Sequence, residues 1–153
     1  FEESIHLFIV HLPSKIDKEI NQLKRLNIFK SIRKKMNEIL VEKKSDKIII
    51  MGDFNDSPTN DDLREELDTR SKQEEINENE LYNPMVGLQS YKSGWIDVLV
   101  NLLSEILKTN IFNADFLKKS DGKSTGLPFR TFVGGKYFGG YSDHFPVYTI
   151  LKY

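Results

Sequence analysis

The 153-residue sequence predicts a single α+β domain, and three observations point there. Two short apolar runs, Ser4 to Leu12 and Lys47 to Met51, have the length and the Ile/Val content of buried strands. Between them lies a long segment whose apolar residues recur at helical spacing. From about Leu81 onward the chain turns to short apolar runs punctuated by glycine pairs, the pattern of strands joined by tight turns.

In the first strand Ile5, Leu7, Phe8, Ile9 and Val10 are nearly all apolar, so cover on both faces is expected. Pro13 stops it and leaves His11 at its carboxyl end. Ser14 or Asp17 can cap a helix running to about Lys44. Ile16, Ile20, Leu23, Phe29, Ile32, Met36 and Ile39 or Leu40 are read as its core stripe. Lys18, Lys24, Arg25, Lys30, Arg33, Lys34 and Lys35 are read as its solvated face. The central strand ends at Gly52. Thr59 or Asn60 caps a shorter helix, Asp61 to about Leu67, with acids in its first turn as the helix dipole favours. Arg70 to Glu80 is polar and aperiodic, an exposed connection.

Trp95 to Val100 reads as the third strand, with Trp95 a core anchor. A helix from Ile96 to Leu107 competes with it. On a strand, Asp97 sits in an apolar run, where an acid is costly without a partner. Ile111 to Leu117 is a short strand or turn and Lys118 to Gly126 a loop. Phe129 to Val133 is a strand, Gly134-Gly135 and Gly139-Gly140 are turns, and Val147 to Tyr153 is the closing strand.

Lys+Arg 22 against Asp+Glu 23 leaves no global basic field for non-specific nucleic-acid binding. The absence of cysteine removes disulfides, thiolate metal sites and cysteine nucleophiles. No apolar run is long enough to cross a bilayer. The sequence opens at Phe1, directly in a strand pattern, which suggests a processed or excised chain.

Chemistry concentrates at strand ends. Asp53 and Asn55 follow the central strand; in extended backbone, residues two apart point to one side. Carboxylate and amide oxygens are hard ligands suited to Mg2+ or Ca2+. An isolated Asp-x-Asn is more often a turn. Asp53, Asn55, Ser57, Thr59 and Asp61 also alternate like a calcium loop. That loop requires Gly and Glu where Pro58 and Arg64 stand, so it is set aside. His11 and the pair Asp143-His144 complete a set suited to metal-assisted hydrolysis of a phosphate ester. Arg130 is a phosphate ligand or an ordinary surface ion pair. Lys136 and Tyr137 touch substrate or pack.

Gly52-Asp53-Phe54-Asn55-Asp56-Ser57-Pro58, with Gly139-Gly140-Tyr141-Ser142-Asp143-His144-Phe145-Pro146-Val147, resembles the endonuclease/exonuclease/phosphatase family. The order of pieces is similar as well: a strand with His-x-Pro-Ser, then Gly-Asp-x-Asn, a Trp with an Ile-Asp strand, and Ser-Asp-His. Pro128 to Phe132 with Gly135-Lys136-Tyr137 is similar to a bacterial branch. The resemblance implies half or more of a four-layer α/β/β/α sandwich with a mixed, mainly antiparallel sheet. It implies catalytic roles for Asp53, Asn55, His144, His11 and Asp97. Asp53 would orient or deprotonate water, and Asn55 would hold water and a phosphate oxygen. His144 would contact the scissile phosphate, supported by Asp97, and His11 would assist the phosphate or leaving group. Asp143 and Asp53 would lie at a Mg2+ or Mn2+ ion, with Asn55 and Arg130 binding substrate.

The family's early Asn and its metal-ligating Glu have no counterpart, so the chain resembles the carboxyl-terminal half of the domain. A sheet face left open is expected to associate, with a second copy or with the missing half. The spacing of Trp95 and Asp97 is short, which would fit residues missing between Ser90 and Gly94. The expected activity is phosphodiesterase or endonuclease-like in the intact protein and weak or absent in this chain. The alternatives are a lipid or inositol-phosphate phosphatase and a non-catalytic binding domain of the same fold.

Overall fold

The computed structural model describes residues 4–88, 97–101, 106–120, 122 and 125–151. It is a mixed α and β structure. Strand β1 (Ile5–His11), helix α1 (Lys18–Glu42) and strand β2 (Lys47–Asp53) form the first third of the chain. Helix α2 (Asp61–Glu66) and the two-residue strands β3 (Thr69–Arg70) and β4 (Leu81–Tyr82) follow. Strand β5 (Asp97–Asn101) completes one sheet, in the order β1-β2-β5-β4-β3. β1 runs parallel to β2, and β5 runs antiparallel to both β2 and β4. Strand β6 (Ile106–Ile111) pairs antiparallel with β9 (Val147–Leu151), and β7 (Phe132–Val133) with β8 (Lys136–Tyr137).

The α+β expectation holds. The third element is the strand, not the helix that competed with it. Trp95, and the stretch where residues were thought missing, lie outside the described residues. β6 was not anticipated: its Lys108, Thr109 and Asn110 dilute the apolar signal, and its pairing comes from β9 far along the chain. The strand expected over Phe129 to Val133 is reduced to its last two residues. The peptide oxygens of Phe129 and Arg130 instead accept N–H groups from Gly140, Tyr141 and Ser142.

One core lies between α1 and the sheet. Phe29, Ile32, Met36 and Leu40 of α1 meet Ile48, Ile50 and Leu99, closed off by Phe54, Leu63, Leu67 and Leu81. Two sequence expectations fail here. Ile16, Ile20 and Leu23 are exposed, so the stripe starts later than read. The reason is phase: Leu23 to Phe29 is six residues, about 600° of helix, which sets the two on different faces. The position in phase with Phe29 is Arg25, and it is buried. β1 is covered on one face only. His6, Phe8 and Val10 turn toward α1, while Ile5, Leu7 and Ile9 are exposed, Ile9 at 75%. Helices cover both faces of a parallel sheet only where a second layer exists, and α1 supplies one.

Local signals elsewhere behave as expected. The Asn60 side chain accepts the Asp62 N–H and caps α2. The Arg70 to Glu80 connection is largely exposed yet organised, since Glu80 accepts from Arg70 and from the Asn77 backbone and side chain.

Candidate active site

The carboxyl ends of β1 and β2 and the amino end of β5 form one rim. In register, His11 faces Asp53 and Gly52 faces Asp97. Gly52 is what permits this close approach. Its φ is +139°, and a Cβ there would lie 1.9 Å from the Val10 carbonyl oxygen. The next side chain inward, Phe54, is fully buried and packs its ring 6.1 Å from that of Phe29. With Phe54 fixed in the core, Asp53 and Asn55 emerge on either side of it.

They do not do so on extended backbone, as the sequence reading assumed. Asn55 has φ +49°, and its N–H donates to Asp53 Oδ1 at 2.8 Å, a turn of the kind Asp and Asn favour. Its side-chain Nδ2 donates to the Leu12 carbonyl at 2.8 Å and ties the end of β1 to the end of β2. Asp53 and Asn55 thus form the turn that an isolated Asp-x-Asn suggests.

His144 arrives from the other side of the chain, held by Phe145, which is buried, and by its own N–H bonded to Ser142 Oγ. Its Nε2 lies 3.3 Å from Asp53 Oδ2, across 91 residues, and its Nδ1 lies 2.8 Å from Asp143 Oδ1. The carboxylate beside Nδ1 is thus Asp143. Asp97, expected in that place, has its backbone on the rim, but its side chain is outside the described residues. His11 is 80% exposed, with Nε2 3.8 Å from Asp53 Oδ2. Burial pushes the Asp143 carboxyl up, but the charge and hydrogen bond of His144, its own N–H and the charge of Arg130 outweigh it and hold it below the usual range.

Arg130 is exposed, and among the described residues it has no ion pair, so the ordinary salt bridge is not found there. Its peptide oxygen accepts the Gly140 N–H at 3.3 Å. A Cβ on Gly140 would lie 2.0 Å from the Phe129 carbonyl oxygen, so glycine alone lets the Asp143-His144 segment close against Arg130.

Two groups behind the rim were not singled out from sequence. Asp56 is 2% and Arg25 5% exposed; Arg25 Nε donates to Asp56 Oδ2 at 3.2 Å and its Nη1 to the Pro13 carbonyl at 3.0 Å. Asp56 also takes Lys15 Nζ at 2.9 Å, Asn60 Nδ2 and the Ser57 N–H. The in-phase position of Arg25 on the apolar stripe was the available signal. His6 bonds the buried Asp46 at 2.7 Å and belongs to packing, not to the rim.

A divalent cation was implied by the resemblance. Among the described residues, no group of three His, Asp or Glu side chains converges as a cage. Asp53 and Asp143 are hard oxygen donors, and Mg2+ commonly takes only one or two protein carboxylates together with water and phosphate. Each can give an oxygen to such a cation, but the two stand at different ring nitrogens of His144 and, among the described residues, form no cage. No helix is long and apolar enough to cross a membrane among the described residues.

Comparison with curated proteins and with solved structures gave no match. The model of the endonuclease/exonuclease/phosphatase family matches residues 1–153. Members of that family are typically hydrolases of phosphoric esters that use divalent metals. With a match that runs the whole length of the sequence, the chain belongs to the endonuclease/exonuclease/phosphatase family.

Proposed function

We propose that this chain carries the water-activating and proton-handling half of a divalent-metal-dependent phosphodiesterase. The observation that carries the reading is the approach of His144 Nε2 to Asp53 Oδ2 at 3.3 Å, with His11 3.8 Å from the same oxygen. Asp53 orients and deprotonates the attacking water, and Asn55, pinned to Leu12, holds water and a phosphoryl oxygen. His144, oriented by Asp143, donates to the phosphoryl group as charge builds there. His11 and the exposed Arg130 flank the substrate, and Asp97 stands at the rim. Asp53 and Asp143, one at each ring nitrogen of His144, would each offer an oxygen to Mg2+ or Mn2+, which would neutralise charge on the phosphoryl oxygens.

Turnover by this chain alone is expected to be weak, since two carboxylates position a cation poorly. The bare outer face of β1 supports a four-layer sandwich in which further layers cover Ile5, Leu7 and Ile9. The test is hydrolysis of a chromogenic phosphodiester, nicked DNA and inositol phosphates with Mg2+ or Mn2+. Asp53→Asn and His144→Asn each lose about 100-fold or more of whatever rate is found. Equal rates in variant and parent would remove the rim from the chemistry and leave a non-catalytic binding domain. Preference for inositol phosphates would favour a phosphatase.

A further inference from the structure

The β7–β8 hairpin is built differently from the rest of the molecule. Its tip is Gly134-Gly135, and its flanks expose apolar side chains that no core needs: Phe132 58%, Val133 52% and Tyr137 66%. Lys136 Nζ sits 5.4 Å over the Phe138 ring, so the cation is carried on an aromatic surface. Along one side of the hairpin, Val133 next to the tip and Phe138 at the foot meet Leu127, Pro128 and Phe129 around a pocket of about 290 Å³, with Lys119 and Arg130 also lining it. From Lys118 to Gly140 the sequence holds five basic residues and one acidic, against 22 and 23 in the whole chain. The negative balance lies elsewhere.

We infer that this hairpin and the pocket beneath it form a docking surface for an anionic phospholipid membrane. Exposed aromatics flanking a glycine tip, with cations set behind them, suit the headgroup boundary, where rings and chains bury while charges meet lipid phosphates. Single-stranded nucleic acid would also meet cations and rings, but its bases gain by stacking on aromatic faces, and not on aliphatic side chains. Val133 at the tip and Leu127 and Pro128 in the pocket are apolar without offering such a face, which favours lipid. The inference goes beyond the hydrolase reading and does not rest on it.

The experiment is co-sedimentation of the 153-residue chain, in EDTA so that hydrolysis plays no part, with phosphatidylcholine vesicles and with phosphatidylcholine vesicles containing phosphatidylserine. The chain pellets with the anionic vesicles and not with the neutral ones. A cation near an anionic surface is worth about five-fold in partition, so Lys136→Glu weakens binding by about ten-fold or more. Phe132→Ser with Tyr137→Ser weakens it further, and as both side chains are exposed the fold, checked by circular dichroism, is unchanged. Equal binding to both vesicle types, equal binding by parent and variants, or no binding to either vesicle would overturn the inference. So would binding only to a single-stranded oligonucleotide, which would assign the surface to nucleic acid.

Discussion

Replacing Arg25 by Met tests whether a buried ion pair, and not the apolar core alone, holds the rim in place. Arg25 and Asp56 are both almost wholly inaccessible, and the guanidinium joins the Asp56 carboxylate on α2's approach to the Pro13 carbonyl behind β1. Removing one partner of a buried pair costs about 3–5 kcal/mol, because the other charge stays desolvated. Lys15 at 2.9 Å and Asn60 still satisfy part of Asp56, which puts the expected loss near the lower end, about 3 kcal/mol. Met fills most of the vacated volume, so a cavity adds little. Urea denaturation followed by far-ultraviolet circular dichroism measures the loss. Amide exchange at Leu12, whose N–H bonds the Asp53 carbonyl at 2.8 Å, reports loosening of the rim. Asp56→Asn in the Arg25→Met background should cost far less than the sum of the two changes, with a coupling above about 1 kcal/mol. Strict additivity, or a loss below about 1 kcal/mol, would refute the reasoning.

Gly52→Ala places a methyl on the Val10 carbonyl at φ +139° and is expected to cost at least about 3 kcal/mol, read from the same denaturation curves. Asn55→Gly relieves φ +49° but loses the bond to Leu12, so its stability stays within about 1 kcal/mol of the parent, while Asn55→Ala loses about 1–2 kcal/mol. Both should lose phosphodiesterase rate alike, which separates the chemistry from the fold. The Asp46 carboxyl is held below the usual range, chiefly by the His6 hydrogen bond against the opposing effect of burial. Its folded pKa is thus below the unfolded value of about 3.9, so its stabilisation is complete above that pH and is lost as pH falls through the folded pKa. Asp46→Asn should flatten the stability profile in that acid window, as followed by urea midpoints across pH; an unchanged acid slope would refute this.

The legible parts of the molecule were those encoded in neighbouring residues. The α2 cap at Asn60 and the Gly134-Gly135 turn announce themselves in a few letters, whereas β2 does not stop at Gly52 but runs on to Asp53, and Gly140 serves a close approach to Phe129 in place of the expected turn. The pairing of β6 with β9 and the convergence of His144 on Asp53 depend on segments far apart, and no local pattern specifies them. The misread start of the α1 stripe was avoidable. A six-residue step breaks helical phase and turns Arg25 inward, where it meets Asp56. The one-sided burial of β1 was not avoidable, since a run of Ile, Leu and Val reads the same whether one face or two are covered.

The closure at the foot of the hairpin has a consequence for how this surface can change. Thr131 Oγ1 donates to the Gly140 carbonyl at 2.8 Å, the Phe138 N–H to the Thr131 carbonyl at 2.8 Å, and the Tyr141 N–H to the Phe129 carbonyl at 2.8 Å. These cross-links brace the two legs where they leave the body, so Ser142, Asp143 and His144 are insulated from what happens at the tip. Residues 132–137 can therefore be lengthened, shortened or exchanged for an unrelated loop while the rim that joins Asp53 and His144 keeps its geometry, which makes the hairpin a graft point for new contacts.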